Sequence, residues 1–126
     1  MGIYFEPGGA SWSYSGFYNF RKKICELAGM EWPEFPVKDE KENIRRWEII
    51  KKSKDPIKYL LCHSDCDGTI GPTRLKKLLP RLRHYVCAMK KEGTEKYDFG
   101  YDWEQGNKLI CGIGIAIDKN KPLKFC

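Results

Sequence analysis

The sequence predicts an α+β domain in which a small sheet packs against three or four helices. Two observations carry this prediction. Apolar residues recur at helical steps of three and four in several long segments, and short apolar segments bounded by glycine and proline lie between and beyond them. The chain has 126 residues, so we expect one globular domain that spans residues 1–126.

Three short segments predict the strands of the sheet. Residues 3–5 are apolar and are followed at once by Pro-Gly-Gly, which stops a strand. Residues 57–62 form a compact apolar run that is most consistent with a buried strand. Residues 122–126 can close the sheet, so we expect both chain ends and residues 57–62 to form it.

Three segments carry clear helix signals. Residues 16–28 have an apolar stripe and follow Ser15, which can cap the helix. Residues 41–52 form a charged helix. Residues 72–90 form a long helix in which Pro72 suits the first position, whereas Pro80 must kink the helix or divide it in two.

The segment 103–117 is ambiguous between helix and strand. Its apolar residues follow helical steps, which favours a fourth helix. Residues 113–117 also alternate as in a strand, and Gly112 and Gly114 are poor helix formers. We favour the helix and expect residues 92–101 to form a polar connection before it.

Positive charge is concentrated in one segment. The chain has 23 Lys and Arg against 17 Asp and Glu, a net charge of +6. Residues 72–91 contain seven of these cations and no acid, which leaves −1 for the rest of the chain. A cationic helix face can bind phosphates, although such a face also serves solubility alone. The candidate polyanion-binding residues are Arg74, Lys77, Arg81 and Arg83.

The six cysteines do not predict a disulfide framework. No Cys-x-x-Cys pair occurs, and the first residues lack the features of a secretion signal. We therefore expect reduced thiols and a cytoplasmic protein, with Cys25, Cys87 and Cys111 buried at apolar helix positions. No apolar run reaches the length of a membrane span, so we expect no membrane partner.

The block His-Ser-Asp-Cys-Asp-Gly at 63–68 is the strongest candidate for chemistry. Asp65 and Asp67 can share a hard cation such as Mg²⁺ or Ca²⁺, with His63 as a further ligand. The block is similar to an EF-hand loop, but Arg74 stands where the last carboxylate belongs. It is also similar to the first motifs of haloacid-dehalogenase-type phosphatases and DHH-type phosphoesterases, whose later motifs do not follow here. Alternatively, the carboxylates only cap the turn. We therefore expect no cofactor, with Mg²⁺ or Ca²⁺ as the alternative.

A second loop leads into the first predicted helix. It is rich in hydroxyl and aromatic side chains, and its backbone N–H groups could hold an anion. It lacks the Gly-Lys-Ser/Thr of a phosphate-binding loop, so a turn with aromatic rings in the core is the alternative. Its candidate ligand-binding residues are Ser11, Trp12, Ser13, Tyr14 and Ser15.

Segments from nearly the whole chain resemble one family. They are residues 12–17 followed by Phe20 and Arg21, Leu61 with the block at 63–68, residues 79–83 and residues 122–125. Together they are similar to a family of small hypothetical proteins of bacteria and their phages. The resemblance implies a cytoplasmic, often phage-encoded protein, and it implies no particular activity.

These observations leave three functional hypotheses. The first is a non-enzymatic binding protein for an anionic partner: a nucleotide-like ligand, a nucleic acid, or a host defence protein that handles them. The second is a divalent-metal-dependent phosphoesterase that uses His63, Asp65 and Asp67. The third is a structural or interaction protein with no ligand. We favour the first.

Overall fold

The computed structural model describes residues 2–63, 68–92 and 100–126, which form an antiparallel sheet and helices. Its strands are β1 (Gly2–Glu6), β2 (Ser11–Ser13), β3 (Thr69–Ile70) and β4 (Leu123–Phe125). Its helices are α1 (Tyr14–Leu27), α2 (Glu40–Lys52), α3 (Lys58–Leu61), α4 (Pro72–Glu92) and α5 (Gly100–Asp118). The predicted α+β class is confirmed.

The sheet has the order β2–β1–β4–β3, and all three strand pairs are antiparallel. Both chain ends belong to the sheet, as predicted, and their strands β1 and β4 are its two central strands. Ile3 and Phe5 of β1 are buried, whereas Tyr4 and Glu6 are exposed. This alternation places the hydrophobic core on one face of the sheet, where β1 contacts α1 and α5.

Helix α1 begins two residues earlier than predicted. Ser13, not Ser15, is the cap, and its Oγ accepts the N–H of Gly16 at 3.0 Å. Strand β2 ends at Ser13, so the chain passes from strand to helix without a linking residue. The predicted apolar stripe is confirmed, since Phe17, Phe20 and Ile24 are buried.

The predicted strand at 57–62 is wrong, because this run contains the short helix α3. Asp55 Oδ1 accepts the N–H of Ile57 at 3.0 Å and starts the turn, and Cys62 N donates to Lys58 O at 2.9 Å. A compact apolar run fits a buried helix as well as a strand. The position in the sheet is filled instead by β3, which follows the 63–68 block.

Helices α4 and α5 share the most extensive contact among the described elements. Helix α4 confirms the predicted helix at 72–90, and it continues through Pro80, so of the two expected effects of this proline, a kink or a division, the division does not occur. Helix α5 confirms the helical interpretation of residues 103–117. Of the connection predicted at 92–101, residues 93–99 lie outside the described residues. None of the described helices is long and apolar enough to cross a membrane.

The cysteine predictions are only partly correct. Cys25 is buried as expected, but Cys87 and Cys111 are exposed, because they lie on the solvent-facing sides of α4 and α5. All five cysteines within the described ranges are free thiols. Cys66 lies outside them.

Candidate functional site

His63 is anchored to the sheet and to α1. Its Nε2 lies 3.0 Å from the carbonyl oxygen of Thr69, and its ring stacks on Phe125 with a centroid distance of 3.8 Å. Arg21 of α1 donates to the His63 carbonyl oxygen at 2.8 Å. Phe125 N donates to Gly68 O at 2.9 Å. Both ends of the 63–68 block are therefore fixed to the folded core.

These contacts determine the tautomer of His63. A carbonyl oxygen only accepts hydrogen bonds, so Nε2 carries the hydrogen, and the lone pair of the neutral ring lies on Nδ1. No cluster of three or more potential metal-ligating side chains occurs within residues 2–63, 68–92 and 100–126. Asp65 and Asp67 lie outside those ranges. The phosphoesterase and its metal site remain predictions.

Trp12 belongs to the core and to a buried polar network. Its ring stacks on Phe20 at 4.5 Å. Its indole Nε1 donates to Asp102 Oδ1 at 3.0 Å, and Lys23 Nζ lies 2.8 Å from Asp102 Oδ2. Asp102 is buried in the first turn of α5. No sequence pattern indicates this pairing, because the partners are 90 and 79 residues away from Asp102.

One backbone donor at the start of this loop and one just after it already have partners. Ser11 N donates to Gln105 Oε1 of α5 at 3.0 Å, and Gly16 N is held by the cap at Ser13. Tyr14 and Ser15 are exposed. The alternative for this loop is a turn with its aromatic rings in the core. That alternative fits Trp12, which is buried, but not Tyr14, which is exposed.

The described strands next to the two candidate loops lie at opposite edges of the sheet. Strand β2 forms one edge and β3 forms the other, with β1 and β4 between them. Three strand spacings of about 4.8 Å separate the edges by roughly 14 Å. Residues 11–13 and 69–70 are therefore not adjacent in the sheet.

The cations of α4 between Arg74 and Arg83 fall into two groups. Arg81 is engaged: its Nε and Nη2 each lie 3.1 Å from a carboxylate oxygen of Asp55, and Tyr85 Oη donates to the same carboxylate. Arg74 lies over the ring of Tyr59, with its Cζ 5.1 Å from the centroid. Both arginines therefore point towards α3 and the link before it.

The ion pair perturbs both partners. Burial of Asp55 opposes ionisation, but hydrogen bonds from Arg81, Tyr85 and the backbone of Ile57 outweigh it and lower the pKa of Asp55. The hydrogen bond to Asp55 is the largest of the effects that raise the pKa of Arg81. The side chain of Arg81 is therefore held in place by Asp55, whose carboxylate compensates most of its charge.

Lys77 and Arg83 form the second group, together with Lys76. All three side chains are exposed, and none makes an ion pair with another described residue. His84 is exposed beside them. The structure therefore divides the four predicted polyanion-binding residues into two engaged arginines and two cations that face solvent.

A cleft of about 430 Å³ lies between α1 and the loop before α2. Tyr18, Trp32 and Phe35 line it, and Phe35 is 82% exposed. Lys22 and Lys38 stand at its rim without an ion pair to the described residues. Two prolines and two aromatic residues in the segment 32–36 were the available sequence signal for this cleft.

Comparisons with known proteins identify no relative. No protein-family model matches the chain, and no curated protein or solved structure is significantly similar to it. The functional assignment therefore depends on the geometry and chemistry of this chain.

Proposed function

We propose that the protein is a non-enzymatic nucleic-acid-binding protein whose exposed α4 cations contact phosphates. The observation that supports this proposal is a set of cations on the outward face of α4 that form no ion pair with a described residue. Lys76, Lys77 and Arg83 are exposed there, and residues 72–91 contain no acid. Lysine and arginine that neutralise phosphates release condensed counterions, which favours binding.

Nucleic acid suits this face better than an anionic membrane surface. Helices that lie on membranes insert large apolar side chains between the lipids. The apolar side chains of α4, among them Leu75, Leu78 and Leu82, are buried in the core. None of the exposed large hydrophobic residues of the described chain is on α4.

The proposal is tested by equilibrium binding of labelled nucleic acid over a range of salt concentrations. The test variant is Lys76→Glu with Arg83→Glu. The control is Lys22→Glu with Lys38→Glu, which makes the same change in net charge at the α1 cleft. We expect the test variant to lose affinity by about tenfold or more and the control to stay within about twofold.

The salt dependence gives a second readout. Each lost phosphate contact reduces the slope of log K against log salt by about 0.9 for a duplex. Equal losses in the two variants would show that only net charge matters, and they would contradict a site on α4. Absence of salt-dependent binding by the wild type would contradict the function itself.

A further inference from the structure

We propose that the partner is B-form double-stranded DNA and that α4 lies in its major groove. This inference rests on the proposed function and specifies its substrate. Its basis is the arrangement of the exposed side chains around α4, and not only their positive charge.

The outward face of α4 has three parallel rows. Residues seven apart on a helix lie about 10.5 Å apart along the axis and nearly above one another. The central row is uncharged, and a row with basic side chains lies on each side of it. The rows are Thr73, Pro80 and Cys87 in the centre, Lys76 and Arg83 on one side, and Lys77 and His84 on the other.

All seven of these residues are exposed. The opposite side of α4 packs against the core through five buried side chains: Leu75, Leu78, Leu82, Val86 and Met89. This packing determines which face of α4 is exposed to solvent. The three rows therefore occupy the side of α4 that a partner can reach.

This arrangement of three rows matches the cross-section of the major groove of B-form DNA. The groove is about 12 Å wide, and a helix with its side chains is about 10–12 Å in diameter. In this position, the small side chains of Thr73 and Cys87 face the base edges. Lys76 and Arg83 then reach the phosphates on one side of the groove, and Lys77 reaches the phosphates on the other side. The 21 residues of α4 give it a length of about 31 Å, enough to follow the groove.

Other forms of nucleic acid fit less well. Single strands are held by aromatic side chains on which bases stack. The outward face of α4 has no Phe, Tyr or Trp, and Tyr85 is 3% exposed and bonded to Asp55. The major groove of duplex RNA is deep and narrow and does not admit a helix.

The first experiment compares a DNA duplex of about 21 base pairs, or two helical turns, with its single strand and with the matching RNA duplex. We expect the DNA duplex to bind at least about tenfold more tightly than either alternative. We also expect bound protein to protect guanine N7, a major-groove atom, from dimethyl sulfate.

A pair of variants tests the central row. Cys87→Trp places a bulky side chain between α4 and the bases, and we expect the affinity for duplex DNA to fall by about tenfold or more. Cys111→Trp places the same side chain at an exposed cysteine of α5 and serves as the control, with an expected change within about twofold. Thermal unfolding of both variants checks that they fold, and N7 protection of the wild type does not depend on them.

The remaining outcomes separate the two proposals. Equal or tighter binding of single strands or duplex RNA, or unprotected N7, would overturn the major-groove inference and leave nucleic-acid binding in place. Binding to vesicles with anionic lipid and to no nucleic acid would overturn both.

Discussion

The carboxylate of Asp55 holds the guanidinium of Arg81 in a two-point contact across 26 residues of sequence, with both N–O distances at 3.1 Å. Asp55 also starts the turn of α3, through the N–H of Ile57. One side chain thus connects the beginning of α3 to the middle of α4. The contact holds α4 against α3. It also pairs Arg81 with a carboxylate, so Arg81 is not one of the cations that face solvent without an ion pair to a described residue.

This connection predicts a specific pH dependence. The pKa of Asp55 is lowered in the folded protein, so its stabilisation is complete above the pKa of the unfolded chain, about 3.9. The stabilisation is lost as the pH falls through the lower folded value. We expect Asp55→Asn to cost about 1 kcal/mol near neutral pH and progressively less as the pH falls below about 3.9.

Urea unfolding of the wild type and of Asp55→Asn at neutral and acidic pH measures this difference. An unchanged gap between the two proteins at acidic pH would show that charge does not contribute to the contact.

The division of the α4 cations predicts opposite effects for two neighbouring arginines. Arg81→Gln removes the partner of Asp55, so we expect lower stability by about 1 kcal/mol and little change in nucleic-acid affinity. Arg83→Gln removes an exposed cation without an ion pair to the described residues, so we expect weaker binding and unchanged stability. Thermal unfolding and binding titrations of both variants check this; the reverse pattern would place the binding face on the other side of α4.

The sequence predicts local structure better than it predicts which partners meet. Periodicity identifies α1, α4 and α5 because each buries one regular stripe. It misassigns residues 57–62 because a short apolar run carries no period. Whether that run becomes strand or helix is decided by the side chain of Asp55 and by β3 entering the sheet.

The same limit applies to the candidate site. Residues 72–91 are visibly basic in the sequence, but their spacing does not reveal that Asp55 holds Arg81 or that Tyr59 lies under Arg74. Likewise, nothing near Trp12 indicates Asp102 as its acceptor. Tertiary contacts between distant segments decide which polar groups stay free for a partner.

Thiol reactivity should separate the cysteines. Burial, followed by the nearby charges of Glu26 and Cys62, raises the pKa of the Cys25 thiol to about 12. Because the thiolate is the reactive form, we expect Cys25 to resist alkylation near pH 8 in the native protein. Exposed Cys87, Cys111 and Cys126 should be alkylated first. Peptide mass spectrometry after timed alkylation measures the order, and early labelling of Cys25 would contradict its burial.

Divalent metal should not stabilise the protein. Arg74 occupies the sequence position at which an EF-hand loop that begins at His63 needs its last carboxylate. A ligand that binds only the folded state raises the melting temperature, so we expect no rise at millimolar Mg²⁺ or Ca²⁺. A rise that disappears in both Asp65→Ala and Asp67→Ala would instead favour the phosphoesterase.

Two glycines of α5 should respond in opposite directions to the same substitution. A Cβ at Gly112 would stand 2.2 Å from the carbonyl oxygen of Pro7, so α5 can approach the β1–β2 turn only because residue 112 has no side chain. We expect Gly112→Ala to destabilise the protein by about 1–3 kcal/mol, since the turn must move. A Cβ at Gly114 meets nothing within 4 Å. There, alanine favours the helix over glycine, and Gly114→Ala should stabilise by about 0.5–1 kcal/mol. Chemical unfolding of the two variants gives the sign of each change, and a stabilised Gly112→Ala would refute the close approach of α5 to Pro7.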